Sequence, residues 1–303
     1  MENKLLVIGT VAVDSIQTPY GQLEEAFGGS ASYFSYAASF FVPVKLIAVV
    51  GEDFPDTFRS VLSEHQIDLS GLQVLVGGKT FRWKGKYEFD MNVAQTLDTQ
   101  LNVLLDFQPK VEKSDSLPYI FLANIDPDLQ LQVLKQVNRQ KVKLVACDTM
   151  NFWIENKRQQ LDETLKHIDL IVINDGEARQ LTGETNLVKA AKKIQSLGPD
   201  KVVIKKGEHG VLLFYGEQFA SLPAYLLEEV YDPTGAGDSF AGGLMGYLSQ
   251  TEDLSFEGFK KAIAYGSVVA SFAVEKFSLE RLREIKLSDV EDRLKDFQQL
   301  LTF

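Results

Sequence analysis

Short runs without a polar side recur along this chain, and longer amphipathic stretches separate them. Leu170-Ile171-Val172-Ile173 and Val202-Val203-Ile204 are apolar at every position. A strand with one wet face alternates, so a strand apolar on both faces must be covered on both, as in a parallel sheet. Further strands are predicted at Lys4–Gly9, Lys45–Gly51, Tyr119–Asn124, Val142–Asp148, Lys201–Lys206 and Val211–Tyr215. Helical patterns cover Ser30–Phe41, Asp53–His65, Leu129–Arg139, Leu187–Leu197, Gly237–Ser249, Phe256–Phe272 and Ser288–Leu301. Strand–helix alternation of this kind predicts a doubly wound α/β fold: a mostly parallel sheet with helices on both faces. Ligands then bind beyond the carboxyl ends of the strands. No internal repeat or linker divides the chain, so residues 1–303 are expected to form a single domain.

One region departs from this pattern. In Thr80–Asp90, Phe81, Trp83, Tyr87 and Phe89 occupy odd positions, while Arg82, Lys84, Lys86 and Glu88 occupy even ones. Period two with one aromatic face predicts a half-exposed strand. Asp90-Met91-Asn92 reads as a turn, and Leu97, Leu101 and Val103 continue a weaker alternation. A small antiparallel sheet over about 80–105 follows, with 15–27 left open as a second contributor. Without helices of its own, its aromatic face must meet the parent domain, a ligand or another subunit. A lid and a homodimer contact are both compatible with it.

The charge excludes some partners. Lys plus Arg total 31 against 42 Asp plus Glu, a net −11, which disfavours nucleic acid and anionic membranes. No apolar run approaches the ~18 residues of a membrane span. The N-terminus passes straight into a strand, leaving no room for a signal peptide. The single Cys147 fits a reducing cytoplasm. His65, His167 and His209 lack metal-ligand spacing.

The chemistry concentrates in Asp232-Pro233-Thr234-Gly235-Ala236-Gly237-Asp238, with a strand-like run, Tyr225–Tyr231, before it and a helix after it. Two glycines let the backbone turn its N–H groups inward, and the helix N-terminus adds partial positive charge. That is an anion cradle. Asp238 on the first helical turn is then either a cap or a base beside a bound phosphoryl group. Gly242, Gly243 and Gly246 weaken the following helix, implying close approach by ligand or backbone. Two commoner phosphate motifs fail. Gly78-Lys79-Thr80 lacks the earlier glycine of a P-loop, Gln73 standing there, and Phe240 replaces the third glycine of a dinucleotide fingerprint.

The stretch Asp232–Asp238 resembles the signature of the ribokinase-like (PfkB) sugar and nucleoside kinases, with Pro233 where Thr is more frequent. Other segments agree in order: Gly9-Thr10-Val11-Ala12-Val13-Asp14, Gly28-Gly29-Ser30-Ala31, Val50-Gly51-Glu52-Asp53 with Gln66-Ile67-Asp68, Asn174-Asp175-Gly176-Glu177, and Lys205-Lys206-Gly207-Glu208-His209-Gly210. The likeness spans roughly Lys4 to Phe277.

It implies a kinase that uses ATP and Mg²⁺ to phosphorylate the primary hydroxyl of a sugar, or alternatively of a nucleoside. Asp238 would be the base, and the N–H groups of Gly235, Ala236 and Gly237 would hold the transferred phosphoryl group. Asn174 and Glu177 would hold Mg²⁺ through water, although Asn followed three residues later by Glu is equally a capping box. Lys206, Gly207, Gly210 and Thr234 would face ATP, with a solvated lysine the alternative at Lys206. Asp14, Gly28, Gly29 and Tyr33 would face the acceptor, a carboxylate accepting from vicinal hydroxyls; a turn is the alternative at Asp14. Tyr33, Phe81, Trp83, Phe152 and Trp153 are candidates to stack a base. Asp232 matches a position used for a monovalent cation in some members, which leaves K⁺ open. The departures concern the acceptor. The Asn that often ends the Gly-Gly motif is missing, and Asp148-Thr149-Met150-Asn151 only approximates a sugar-kinase pattern, an ordinary turn being its alternative. Asn124-Ile125-Asp126-Pro127-Asp128 reads as a helix-capping turn.

Overall fold

The computed structural model describes residues 4–112 and 117–301. Met1–Asn3, on which the leader expectation rests, lie outside them. In chain order the first elements are β1 (Leu5–Ile8), β2 (Ala12–Thr18), β3 (Gly21–Gly28), α1 (Ser30–Ala38), β4 (Val44–Gly51), α2 (Asp56–Ser63) and β5 (Ile67–Leu75). There follow β6 (Phe81–Tyr87), β7 (Ala94–Gln100), β8 (Tyr119–Leu122), α3 (Pro127–Gln136), β9 (Leu144–Cys147), α4 (Asn151–Asn156) and α5 (Arg158–Leu165). The chain continues through β10 (Leu170–Asn174), α6 (Asp175–Thr182), α7 (Leu187–Gln195), β11 (Lys201–Lys205), β12 (Val211–Tyr215) and β13 (Gln218–Leu222). It ends in α8 (Ala236–Thr251), α9 (Phe256–Ala273), α10 (Glu280–Glu284) and α11 (Leu287–Leu300).

Nine strands form the large sheet in the order β13-β12-β11-β10-β9-β8-β1-β4-β5. All pairs are parallel except β11–β12 and β12–β13. Alternation along each strand divides the core in two. Leu5, Val7, Leu46, Val172 and Val203 pack beneath α1, α8 and α9. Their neighbours Leu6, Ile8, Ile120, Ile171 and Val202 pack against α3, α5, α6 and α7 on the other face. Both faces are dry, as the unbroken apolar runs require.

The smaller sheet has the order β3-β2-β6-β7. The predicted hairpin is its β6–β7 half, and segment 15–27, left open from sequence, supplies most of the rest. The sheet is mixed rather than wholly antiparallel, because β2 pairs with β6 in parallel. Phe81, Trp83 and Tyr87 lie on β6, but Phe89 falls beyond its end and is 96% exposed. The strand expected over Tyr225–Tyr231 is irregular backbone. Glycine choices in α8 reflect helix packing: a Cβ at Gly242 would lie 2.4 Å from the Phe34 carbonyl on α1, and one at Gly243 3.1 Å from Gly266 on α9. Among the described residues, no helix is long and apolar enough to cross a membrane.

Candidate active site

The chain leaves β1 to build β4 and β5 on one side, then returns to place β8 through β11 on the other. The carboxyl ends of the strands flanking this switch form a crevice where an α/β sheet takes its ligand. Asp148 follows β9, Asn174 ends β10, Lys205 ends β11, and the N-terminus of α8 points at the same place.

The cradle is a built turn. Gly235, at the N-cap of α8, has φ +74°, a left-handed conformation that side-chain-bearing residues disfavour. A Cβ there would also sit 2.3 Å from the Tyr33 ring. Tyr33 is only 1% exposed. Its ring packs behind the turn, and its hydroxyl is buried without a hydrogen-bond partner. Asp232 is buried, and its oxygens accept from the N–H groups of Thr234 (2.9 Å) and Ser278 (3.0 Å). The expected set of N–H groups also narrows: Ala236 N–H donates to the Pro233 carbonyl at 3.1 Å. Those of Gly235 and Gly237 have no backbone partner among the described residues and remain for an anion.

Four carboxyl groups converge on the crevice. Burial pushes Asp238 up to about 7, opposed by Lys205 and reinforced by Glu177. Burial likewise raises Asp148, with Asp238 adding repulsion, and raises Glu177. Asp14, 4% exposed, is pushed up to about 8 by burial, against the Gly29 N–H and with Asp232 and Asp238 adding repulsion. One oxygen each of Asp14 and Asp148 is buried without a hydrogen-bond partner. Buried polar atoms are rarely left so, and both carboxyl groups lie close enough to Asp238 to be repelled by it.

Asn174 and Glu177 form the capping box that the sequence allowed. Glu177 N–H donates to the Asn174 side chain at 2.7 Å, and Asn174 N–H to the Glu177 carboxylate at 2.8 Å. No group of three acidic, His or Cys side chains suited to enclosing a metal occurs among the described residues. Mg²⁺ does not need one, since it keeps several waters and binds through substrate phosphates. The oxygens of Glu177 and the unpartnered Asp148 are the hard donors such an ion takes. Lys206 starts the short turn Gly207–His209, its N–H bonded to the Gly210 carbonyl at 2.8 Å. Lys205, one residue earlier, is the lysine that enters the crevice: a Cβ on Gly237 would lie 2.6 Å from its Nζ.

On the acceptor side, Asp14 lies against Gly28, where a Cβ would come within 1.8 Å of its carboxylate. Gly29 has φ +95° and N-caps α1, and the Thr10 and Ser30 hydroxyls, 3.0 Å apart, fasten that turn. Asp14 is the register partner of Trp83, which is half-buried and shares its face of the sheet. Farther along β6, Tyr87 meets the Thr234 hydroxyl at 3.3 Å. Thr234, expected on the ATP side, thus touches the small sheet. The turn after β6 reaches the opposite rim, where a Cβ at Gly207 would lie 2.5 Å from the Asn92 side-chain oxygen. Trp153 donates to Asn124 at 2.8 Å, pinning the segment after β9. Asp126 caps α3 as expected.

Sequence reasoning did not single out Lys205 or Tyr87 for these contacts. Strand parity was the available signal for Lys205: Val202 and Ile204 face one side of the sheet and Val203 and Lys205 the other. Tyr87 carried no local signal, because its partner is distant in sequence.

Comparison with known proteins agrees with this arrangement. Residues 2–284 match the model of the pfkB family of carbohydrate kinases. The chain is 32% identical over 253 residues to a cytidine kinase of Thermococcus kodakarensis, covering 82% of this chain and 90% of that protein. It is 25% identical over 301 residues to a ribokinase of Haemophilus influenzae, covering 91% and 94%. Among solved structures, a ribokinase II candidate from E. coli in complex with ATP and Mg²⁺ superposes with a TM-score of 0.80 at 18% identity, covering 97% of this chain and 99% of that one.

Proposed function

The chain belongs to the pfkB family of carbohydrate kinases, phosphorylating a hydroxyl of a sugar or nucleoside, and we propose that its acceptor is a nucleoside. The supporting observation is the pairing of Asp14 with Trp83 on one face of the small sheet. A buried carboxylate suits the vicinal diol of a ribose, and an adjacent half-buried indole suits a flat base. The likeness to a cytidine kinase points the same way.

In the reaction we propose, the primary hydroxyl oxygen of the acceptor attacks the γ-phosphorus of ATP. The bond to the β,γ-bridging oxygen breaks, its electron pair leaving on ADP, and the hydroxyl proton passes to Asp238. Near pH 7 a carboxylate held at about 7 is a stronger base than an ordinary one. The N–H groups of Gly235 and Gly237 receive the charge on the moving phosphoryl group. Asn174 and Glu177 would hold Mg²⁺ through water, where it offsets the phosphate charge. Lys206, Gly207 and Gly210 would line the nucleotide side. Asp232 holds the cradle through the backbone N–H groups that its two oxygens accept, and the lone pairs left on them could take K⁺.

The small sheet we read as a lid over the acceptor. A second copy of the chain could also meet it along β7, an edge strand exposed at every residue. Cys147, buried and unpaired, suits the cytoplasm. The acceptor assignment is tested by measuring ADP release across equal concentrations of nucleosides and free sugars. Nucleosides are expected to give the higher kcat/KM. A free pentose or hexose exceeding every nucleoside would overturn it.

A further inference from the structure

We infer that Lys205 is a catalytic residue whose ammonium holds the γ-phosphoryl group of ATP against the cradle. The inference rests on the kinase reading of this site and adds a residue to it. Lys205 closes β11, held on one side by parallel pairing with Asn174 and on the other by antiparallel pairing with Val211. That backbone clamp fixes where its side chain starts. Its Nζ reaches the face of Gly237, one of the two cradle residues whose N–H group remains unclaimed.

The helix end does not itself account for this placement. A helix N-terminus carries partial positive charge, and a cation against it is repelled. The residue is half-buried and, among the described residues, its side chain makes no hydrogen bond and no ion pair within contact distance. The nearby carboxyl groups of Asp238, Asp148 and Glu177 act on it electrostatically but none closes on it. A lysine with a structural role would pair with one of them. Left between the cradle and three acids, it points at the volume where a phosphoryl group would touch both cradle N–H groups and Asp238. An ammonium there acts as a point charge on the equatorial oxygens. The acceptor's proton goes to Asp238, and Lys205 takes no part in that transfer.

The test separates the γ-phosphate from the rest of the nucleotide. Calorimetric titration with Mg²⁺·ATP and Mg²⁺·ADP is expected to show Lys205→Met weakening ATP by about tenfold or more while leaving ADP within about twofold. Turnover on the best acceptor should fall by about 10²–10³-fold with acceptor KM little changed, the loss expected for one transition-state donor. Lys205→Arg, which keeps the charge, should recover part of the ATP preference. Circular dichroism confirms that each variant folds. The inference is overturned if Lys205→Met keeps wild-type turnover, if ATP and ADP weaken equally, or if Lys205→Arg is as impaired as Lys205→Met. The titrations need no acceptor, so a wild-type protein that ignores every nucleoside would sink the acceptor assignment while the Lys205 inference stood or fell separately.

Discussion

The two sheets are built to different standards of solidity. The large one buries continuous apolar clusters on both faces, with Leu5, Val172 and Phe121 on one and Ile8, Ile171 and Val202 on the other. Truncating such a side chain costs ~2–5 kcal/mol. The small one has a core of Ile16, Ala26 and Tyr87, with Leu23, Trp83, Met91 and Phe277 only partly buried against it. Its outer surface is laced with exposed ion pairs, Arg82–Glu25 and Lys84–Glu24, each worth little. Phosphate chemistry demands fixed positions, and its candidate residues, Asp238, Gly237, Lys205 and Asn174, stand on the large sheet and its helices. Acceptor recognition tolerates motion, and Asp14, Trp83 and Tyr87 stand on the small sheet. The contrast predicts that variants on the first side change turnover and variants on the second change acceptor affinity.

The largest effect belongs to Asp238. Asp238→Asn should lower kcat by ~10²–10⁴, the range of a general base, with acceptor KM nearly unchanged. For the wild type, the pH profile follows from the raised carboxyl. A base must be deprotonated, so kcat/KM should climb with pH through about 7 and level above it. A wild-type profile flat from pH 5 to 9 would remove Asp238 from the reaction.

Next comes the cradle. Gly235→Val meets two obstacles, φ +74° and a Cβ 2.3 Å from Tyr33. Re-aiming a donor by such a shift should cost ~10²–10³ in kcat, as for removal of one donor. Circular dichroism should stay native, since the clusters beneath the large sheet are untouched. An active Gly235→Val enzyme would show that the turn only caps α8.

The difference between the sheets also explains what could be read from sequence. Continuous apolar runs such as Leu170–Ile173 announced the large sheet, because burial on both faces leaves no other composition open to them. The helix-start logic at Asn174 and Glu177 was legible too, being local, and the capping box formed. Contacts across the fold were not. Tyr33 follows the Gly-Gly motif in sequence, but the turn it packs against, Gly235, lies far along the chain. Half of the small sheet was invisible as strand: Gly21–Gly28 is mostly exposed at its start, and β2 is pinned by a parallel pairing with β6 that no hairpin signal marks. The three small-residue positions of α8 announced close approach but not by what; helices α1 and α9 supply it.

On the small sheet, Asp14→Asn should raise acceptor KM by about 10–100-fold above pH 8, where the carboxyl is ionised and a charged hydrogen-bonding partner is lost, with less effect on ATP affinity. It also carries a stability signature. The Asp14 carboxyl is held near 8 in the fold against 3.8 when free, so the folded protein binds its proton more tightly. That stabilisation is complete below the unfolded value and is lost as pH rises through about 8, by up to ~1.4 kcal/mol per unit. The wild type should therefore lose Tm relative to Asp14→Asn between pH 5 and pH 9. A difference independent of pH would mean that the carboxyl is ionised throughout.

The smallest effect should come from the lid itself. Its turn touches the nucleotide-side rim where Asn92 meets Gly207, and its face meets the cradle through Tyr87 and Thr234. Isolated contacts of this kind can open locally, and elements held by them exchange amide hydrogens through local opening rather than global unfolding. If the small sheet closes over the acceptor, amide exchange across β6 and β7 should slow when acceptor and nucleotide bind, while β1 and β10 stay protected throughout. Asn92→Ala should then raise acceptor KM only about two- to fivefold, one weak contact's worth, and increase hydrolysis of ATP by water, which closure excludes. Tyr87→Phe should do the same by freeing Thr234. If exchange in β7 instead depends on protein concentration and ignores the acceptor, the exposed edge is a subunit contact. Closure of the small sheet would then have no part in holding the acceptor, and the division of labour between the two sheets would rest on Asp14 and Trp83 alone.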